Sequence, residues 1–288
     1  MKKIVSLALV AVMLLGAFAL ASCGNSNAII VQTNAYFAPF EYLDGSDIVG
    51  VDVEIMAKVG EKLGKEIVFK NVEFSVIIDN VGAGKVCDAG AAGITITDSR
   101  KEKVDFSTPY YTSVQYVIYS DAAGIETKTV DGVEYIVWEA LAGKTIGTQT
   151  DTTGWIYTDG EINATEEDEN YGYDGVLYNT NTKMKSYDSA QLAADAINKQ
   201  VDVVIIDELP AQYIVSKNSG LKCLPLYYSG ADGEADAPVE EEYAICVTKG
   251  STELLEVINE VLAEMLVEDE NGETEIEKLV MKHMGLDE

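Results

Sequence analysis

Arg100 is the residue of this chain best suited to chemistry on a small anion. It lies in the run AAGITITDSRKEKVDFSTPYY, residues 91–111, where Ala-Ala-Gly leads into Thr95 and Thr97. A guanidinium beside hydroxyls and glycine backbone holds a carboxylate through two parallel N–H bonds. Thr95 and Thr97 alternate along the chain, so one of them faces a given side, and Thr95 is chosen for the guanidinium side. Taken alone, the run also reads as a buried strand, Asp88 to Gly93, entering a helix on which Arg100 is solvated. Its neighbours decide between the two.

Three further groups suit the same small molecule. Asp207 ends an apolar run, Val201 to Ile206, and would take an ammonium. Asp207 would also suit the cap of a helix starting at Glu208. Thr153 lies where a helix opens after Gln149, Thr150 and Asp151, so its backbone N–H would add positive dipole. Phe37 and Phe74 would press on a small side chain from two sides. Asn34, at the end of the first strand, and Gln149 would read a polar side chain. Adjacent carboxylate and ammonium groups define an α-amino acid. Glu41 and Asp52 read as surface or loop-bracing groups, and Tyr110 and Tyr111 as hinge packing.

The elements that must position these residues follow a βα rhythm. Ile29 to Thr33 reads as a strand. Residues 34–47 read as a loop, with Pro39 and Asp44-Gly45 as breakers. Val51 to Leu63 is a helix with Val51, Ile55, Met56, Val59 and Leu63 on one face, and Gly64 stops it. Ile67 to Phe69, a helix over Ser75 to Gly84 and a strand over Asp88 to Gly93 complete a βαβαβ unit with a parallel sheet. The rhythm restarts after about residue 115. Tyr116 to Tyr119 and Lys144 to Thr148 read as strands, and a hairpin fits at Asp131-Gly132. Ser189 to Lys199 is a helix with Leu192, Ala193, Ala196 and Ile197 inward. A helix over Glu208 to Asn218, strands over Leu221 to Tyr227 and Tyr243 to Val247, and helices over Thr252 to Val267 and Glu275 to Met284 close the chain. Tyr157 to Thr182 reads as an extended surface loop or hairpin. Sheets of this kind bind ligands beyond the carboxyl ends of their strands, where the groups above collect.

Composition sets the boundaries. Residues 1–22 have the form of a secretory signal: Lys2 and Lys3, an uncharged apolar run from Ile4 to Leu20, then small residues before Cys23. Leu-Ala-Ser-Cys resembles a lipoprotein cleavage box, in which Cys23 is lipidated. An uncleaved membrane anchor is the competing reading. The formal charge is −29, and loss of the two lysines makes it more negative still. Such a chain repels nucleic acid and anionic lipid. Cys87, Cys223 and Cys246 form no metal or disulfide pattern, although one pair can form. His283 is the single histidine and reads as an exposed helix residue. A single histidine argues against His-based zinc sites and His-dependent triads, and neither cofactor nor metal is expected.

The stretches TNAYFAPFEYLDGSDIVGVDVEIMAKVGEKLG, AAGITITDSRKEKVDFSTPYY, GKTIGTQTDTTG, DVVIIDELPAQYIVSKN and EEYAICVTKGSTELLEVINEVLAEM, in that order, resemble the polar-amino-acid solute-binding proteins of ABC importers. The resemblance implies an α/β, two-lobed periplasmic-binding fold of the second type, each lobe a mostly parallel sheet flanked by helices. It implies a tether over residues 23–28, lobe one over 29–112 plus 243–288, and lobe two over 113–242. Hinge strands near Tyr111 to Gln115 and Tyr243 to Cys246 would join them. By the same resemblance Arg100 clamps carboxylate, Gly93 and Thr95 bind carboxylate and amine, and Asp207 holds the ammonium. Phe37 and Phe74 form aromatic walls, and Thr153 closes on the carboxylate.

There are departures from the family pattern. Asn34 stands where relatives often carry Asp, which disfavours a Lys or Arg ligand. Asp151 stands where Gly is usual, and either points to solvent or narrows specificity. Leu209-Pro210 replaces the commoner Glu-Pro.

The expected function is a lipid-anchored, extracytoplasmic, monomeric receptor that binds a neutral polar amino acid. It would deliver that amino acid to an ABC permease with its ATPase subunits. One alternative is a dehydratase-type enzyme on the same scaffold, with Asp151 or Glu41 as general acid. Another is a soluble ligand feeder for a separate sensor.

Overall fold

The computed structural model describes residues 28–167, 173–230 and 235–286. The expected signal and Cys23 lie outside the described residues. Two sheets flanked by helices form the molecule, an α/β, two-lobed fold. In the first sheet the strands run Glu66–Asn71, Ala28–Thr33, Ala89–Gly90, Cys246–Thr248 and Val104–Phe106. The first three are parallel, as the βαβαβ reading requires, and Cys246–Thr248 pairs antiparallel to both its neighbours. The expected strand over Asp88 to Gly93 shrinks to Ala89–Gly90. The chain turns at Gly93, whose φ of 53° no strand accommodates.

Helix Val51–Leu63 buries Ile55, Met56 and Val59 completely and packs on helix Thr252–Met265, which buries Ile258 and Leu262. Each such side chain contributes about 1.5–3 kcal/mol of transfer free energy. Gly64 ends the first helix in the left-handed conformation at φ 63°, which costs an L side chain and not glycine.

The second sheet is ordered Lys183–Tyr187, Thr145–Gln149, Val203–Asp207, Tyr111–Tyr119, Lys222–Tyr228, Val133–Val137 and Lys128–Val130. All five residues of Val203–Asp207 are buried, which explains a continuous apolar run. The hairpin turns at Asp131 and Gly132, both at positive φ, as the sequence pattern predicts. Tyr111–Tyr119 is one nine-residue strand. Its first half pairs with Glu240–Tyr243 and its second half with Val203–Asp207 and Lys222–Tyr228. The expected last strand divides into Glu240–Tyr243 and Cys246–Thr248.

Four expectations change. Residues 34–47 were expected as a loop, but Tyr36–Phe37, Glu41–Asp44 and Asp47–Val49 form a small antiparallel sheet. The Asp44-Gly45 breaker is its tight turn. Tyr157 to Asn163, expected within a loop or hairpin, continues helix Thr153–Asn163. That helix spreads its apolar residues around its circumference and carries Gly154 and Gly160 inward, so no stripe shows in the sequence. Helix Ala190–Asp195 is shorter than expected, and Leu192 lies half exposed rather than inward. His283 is not exposed: its ring nitrogens lie 2.8 Å from Glu54 Oε1 and 3.0 Å from Tyr42 Oη.

Cys87, Cys223 and Cys246 are all free thiols. No helix among the described residues is long and apolar enough to cross a membrane.

Candidate functional site

Asn34, Phe37, Phe74, Gly93, Thr95, Arg100, Gln149, Thr153 and Asp207 all line one cavity between the lobes, joined by Glu41, Ala92 and Thr152. Its volume of about 10 Å³ is no more than a single water needs. The walls therefore stand closed on one another.

Arg100 is positioned by local backbone chemistry. Thr97 caps the short helix Asp98–Lys101 by accepting the Arg100 N–H at 3.2 Å. This turns the side chain inward, where it is 7% exposed. Arg100 Nη1 donates to the Thr95 carbonyl at 2.8 Å, and Nη2 crosses to the Asp151 carbonyl at 2.9 Å. Its guanidinium carbon lies 5.4 Å from the centre of the Phe74 ring. Phe74 is thus a platform for the guanidinium as well as a wall. Burial works against the Arg100 charge, while Glu241 and Asp207 nearby favour it.

Asp151 resolves its two readings. Its side chain is exposed, and its backbone sits at φ 61°, the conformation that makes glycine usual there. Thr152 caps helix Thr153–Asn163 and also donates to the Gln149 carbonyl at 2.9 Å. Thr153, first in the helix, donates its hydroxyl to Glu241 Oε2 at 2.5 Å. Thr95 Oγ1 donates to the same oxygen at 2.6 Å.

Two expected contacts are already committed within the protein. The Gly93 N–H donates to Asp52 Oδ2 at 3.0 Å, so it faces away from a ligand. What Gly93 supplies is space: a Cβ there would stand 2.6 Å from the Phe37 ring. Gln149 Nε2 donates to Asn34 Oδ1 at 2.9 Å, and Asn34 Nδ2 donates to the Val72 carbonyl at 2.8 Å. The two amides bridge the lobes by holding each other.

Asp207 ends strand Val203–Asp207 and precedes helix Glu208–Lys217, yet its side chain makes no cap bond. It turns into the cleft, where it accepts from Gln115 Nε2 and Tyr243 Oη. Burial first, and Glu241 next, raise its carboxyl well above the ordinary range.

Three residues of this site escaped the sequence reading, and a fourth, Glu41, entered it only as a general acid of the alternative enzyme. Glu241 is 5% exposed and joins Thr95, Thr153 and Gln115. Its signal was the alternation in Glu240–Tyr243, which puts Glu241 on the face of the buried Tyr243. Gln115 has the same relation to Ser113 and Val117. Glu41 and Asp52, expected at the surface or in loops, are both fully buried. Asp52 accepts from the Gly93 N–H and from Tyr110 Oη at 2.5 Å, and burial lifts its carboxyl to about 6. Glu41 lines the cavity with neither carboxyl oxygen partnered. Burial, with Asp52 and Asp207 nearby, raises it well above the ordinary range. No group of His, Cys, Asp and Glu side chains among the described residues is arranged to hold a metal ion.

A cleft with one guanidinium, three facing carboxyl groups and two aromatic walls suits a small zwitterion or cation. The comparisons agree with such a cleft. The chain is 30% identical to the arginine-binding extracellular protein ArtP of Bacillus subtilis, over 92% of each chain. It is 25% identical to the L-cystine-binding protein TcyJ of Escherichia coli, over 82% of this chain and 77% of that one. Among solved structures, the amino acid ABC transporter substrate-binding protein AbpA of Streptococcus pneumoniae, bound to L-arginine, matches with a TM-score of 0.70 and 25% identity. That match covers 90% of this chain and 95% of that one. Holo ArgBP from T. maritima matches with a TM-score of 0.64 and 30% identity, covering 83% and 90%. These relatives are binding proteins and not enzymes. With residues 29–284 matching the model of the bacterial extracellular solute-binding proteins, family 3, the chain belongs to that family.

Proposed function

We propose that this protein is an extracytoplasmic receptor that closes its two lobes over an α-amino acid and hands it to an ABC permease with its ATPase subunits. One observation carries the reading: Arg100 and Asp207 stand on opposite lobes and meet at a single cleft. The α-carboxylate would take the Arg100 bonds now made to backbone carbonyls, with Thr95 and Thr153 beside it. The ammonium would lie against Asp207. Because each lobe contributes one partner, the ligand favours the closed form by differential contact. The lobes are taken as 29–112 plus 243–288 and 113–242, hinged near Tyr111 to Gln115 and Tyr243 to Cys246.

The ligand side chain is best read as basic. Glu41 offers the cavity a buried, unpartnered carboxyl group, and one relative is named for arginine while another is bound to it. A neutral polar side chain is the second reading. It is favoured by the Asn34–Gln149 amide pair, which such a side chain would replace bond for bond. Lipidation at Cys23 after loss of residues 1–22, and action as a monomer, complete the proposal. Calorimetry against the twenty amino acids tests it. Arginine or lysine should bind most tightly, and failure of every amino acid at millimolar concentration sinks the receptor reading.

A further inference from the structure

Two buried carboxyl groups meet beside the cleft with no cation between them. Asp207 is 3% exposed and Glu241 is 5% exposed. Gln115 Nε2 donates both to Asp207 Oδ1 and to Glu241 Oε1, so one amide NH₂ brings the two carboxyl groups together. The remaining contacts come from hydroxyls: Tyr243 on Asp207, and Thr95 and Thr153 on Glu241. Arg100 turns its terminal nitrogens to the carbonyls of Thr95 and Asp151 instead. Glu41 adds acidity from lobe one, and Tyr157 faces the pair from lobe two.

Every donor that reaches the pair is a neutral amide or hydroxyl, so none of them supplies the positive charge that two carboxylates would need. Two carboxylates sharing a dry site do not both ionise. Burial and the proximity of Glu241 raise Asp207 in the same direction.

We infer that Asp207, held beside Glu241 by the shared Gln115 amide, carries a proton in the unliganded cleft, and that the ammonium of an arriving amino acid displaces it to solvent. This rests on the amino-acid reading proposed above. One positive charge enters as one leaves, so the local charge balance is unchanged and no other reactant is needed. Capture then releases a proton. Affinity rises with pH, approaching tenfold per pH unit where the free pair is protonated and the liganded pair is not. Acid surroundings favour release of the amino acid.

The test is titration calorimetry of the mature protein with L-arginine, or with whichever amino acid gives the largest thermal shift. It is run at one pH in buffers of different ionisation enthalpy. The expected apparent enthalpy depends linearly on buffer ionisation enthalpy, with a slope of about one released proton. Glu241→Gln should lose that slope, read at whatever affinity the variant retains. Binding heat with no buffer dependence in the unmutated protein overturns the inference and leaves the receptor reading standing. An undiminished slope in Glu241→Gln also overturns it, by assigning the proton to Glu41 or elsewhere. If no amino acid binds, the receptor reading falls and this inference falls with it. The unmutated protein decides the main question even if the variant does not fold.

Discussion

Replacing Arg100 by alanine removes the cation to which the proposed carboxylate docks. The guanidinium is 7% exposed, so water cannot substitute for it cheaply. Two N–H groups reach the cleft face at 2.8 and 2.9 Å from their present acceptors, a fork that a carboxylate would take over. Truncating one partner of a buried, hydrogen-bonded charge pair costs about 2–5 kcal/mol. At about 1.4 kcal/mol per factor of ten, the loss of affinity is roughly 30-fold to several thousand-fold.

The fold should survive, because alanine also removes a buried charge. What is lost at rest is the pair of bonds to Thr95 and Asp151 and the contact with Phe74. Titration calorimetry reads the affinity, and a melt without ligand reads the fold. Arg100→Lys separates charge from geometry: it keeps the cation, cannot make the fork, and should fall between the two. An affinity within a few-fold of the unmutated protein, in a well-folded alanine variant, refutes the carboxylate clamp and returns Arg100 to a structural role.

Other perturbations address other parts of the argument. Glu41→Gln should lower affinity for arginine by about tenfold or more relative to glutamine, as expected on losing a buried charged hydrogen bond; calorimetry with both ligands checks it, and equal losses refute the basic side-chain reading. Gly93→Ala meets both a φ of 53° and a Phe37 ring atom 2.6 Å from the new Cβ. It should cost about 1–3 kcal/mol, read as a lower midpoint in urea. Asp52 has a folded carboxyl lifted to about 6 from 3.8. A raised folded value means that the stabilising proton is fully present below the unfolded value and lost as pH rises through about 6. The protein should therefore gain stability from pH 7 to pH 5, with Asp207 and Glu41 acting in the same direction. Asp52→Asn should flatten part of that rise in a series of thermal melts. Cys23→Ser should move the protein from the membrane fraction to the soluble fraction, as seen by fractionation and immunoblotting.

The strand ends were the legible part of this chain. Arg100, Thr153 and Asp207 each follow or precede an apolar run, and parallel sheets deliver such residues to one edge. Helix Val51–Leu63 was legible because its stripe and its stop at Gly64 agree. Glu241 was hidden by its context. Three successive glutamates read as a solvated run, and only the pairing of Glu240–Tyr243 with Tyr111–Tyr119 turns the middle one inward. Glu41 was hidden by its type, since a carboxyl group with no partner is the last residue that burial statistics place in a core. Helix Thr153–Asn163 lacked a one-sided stripe because it is covered from several directions, by strands Thr145–Gln149 and Val203–Asp207 and by the segment around Leu177.

The order of the first sheet bears on how the chain is made. Val104–Phe106 pairs, among the described residues, only with Cys246–Thr248. A chain emerging from its N-terminus therefore carries this strand unpaired until Cys246–Thr248 has been made, more than a hundred residues later. At about 5–20 residues per second, that interval is many seconds. Through it the first sheet lacks an inner strand, with Ala89–Gly90 open on one side. The first sheet therefore cannot close in its native order until synthesis is almost done. Its last strand serves as the fastener.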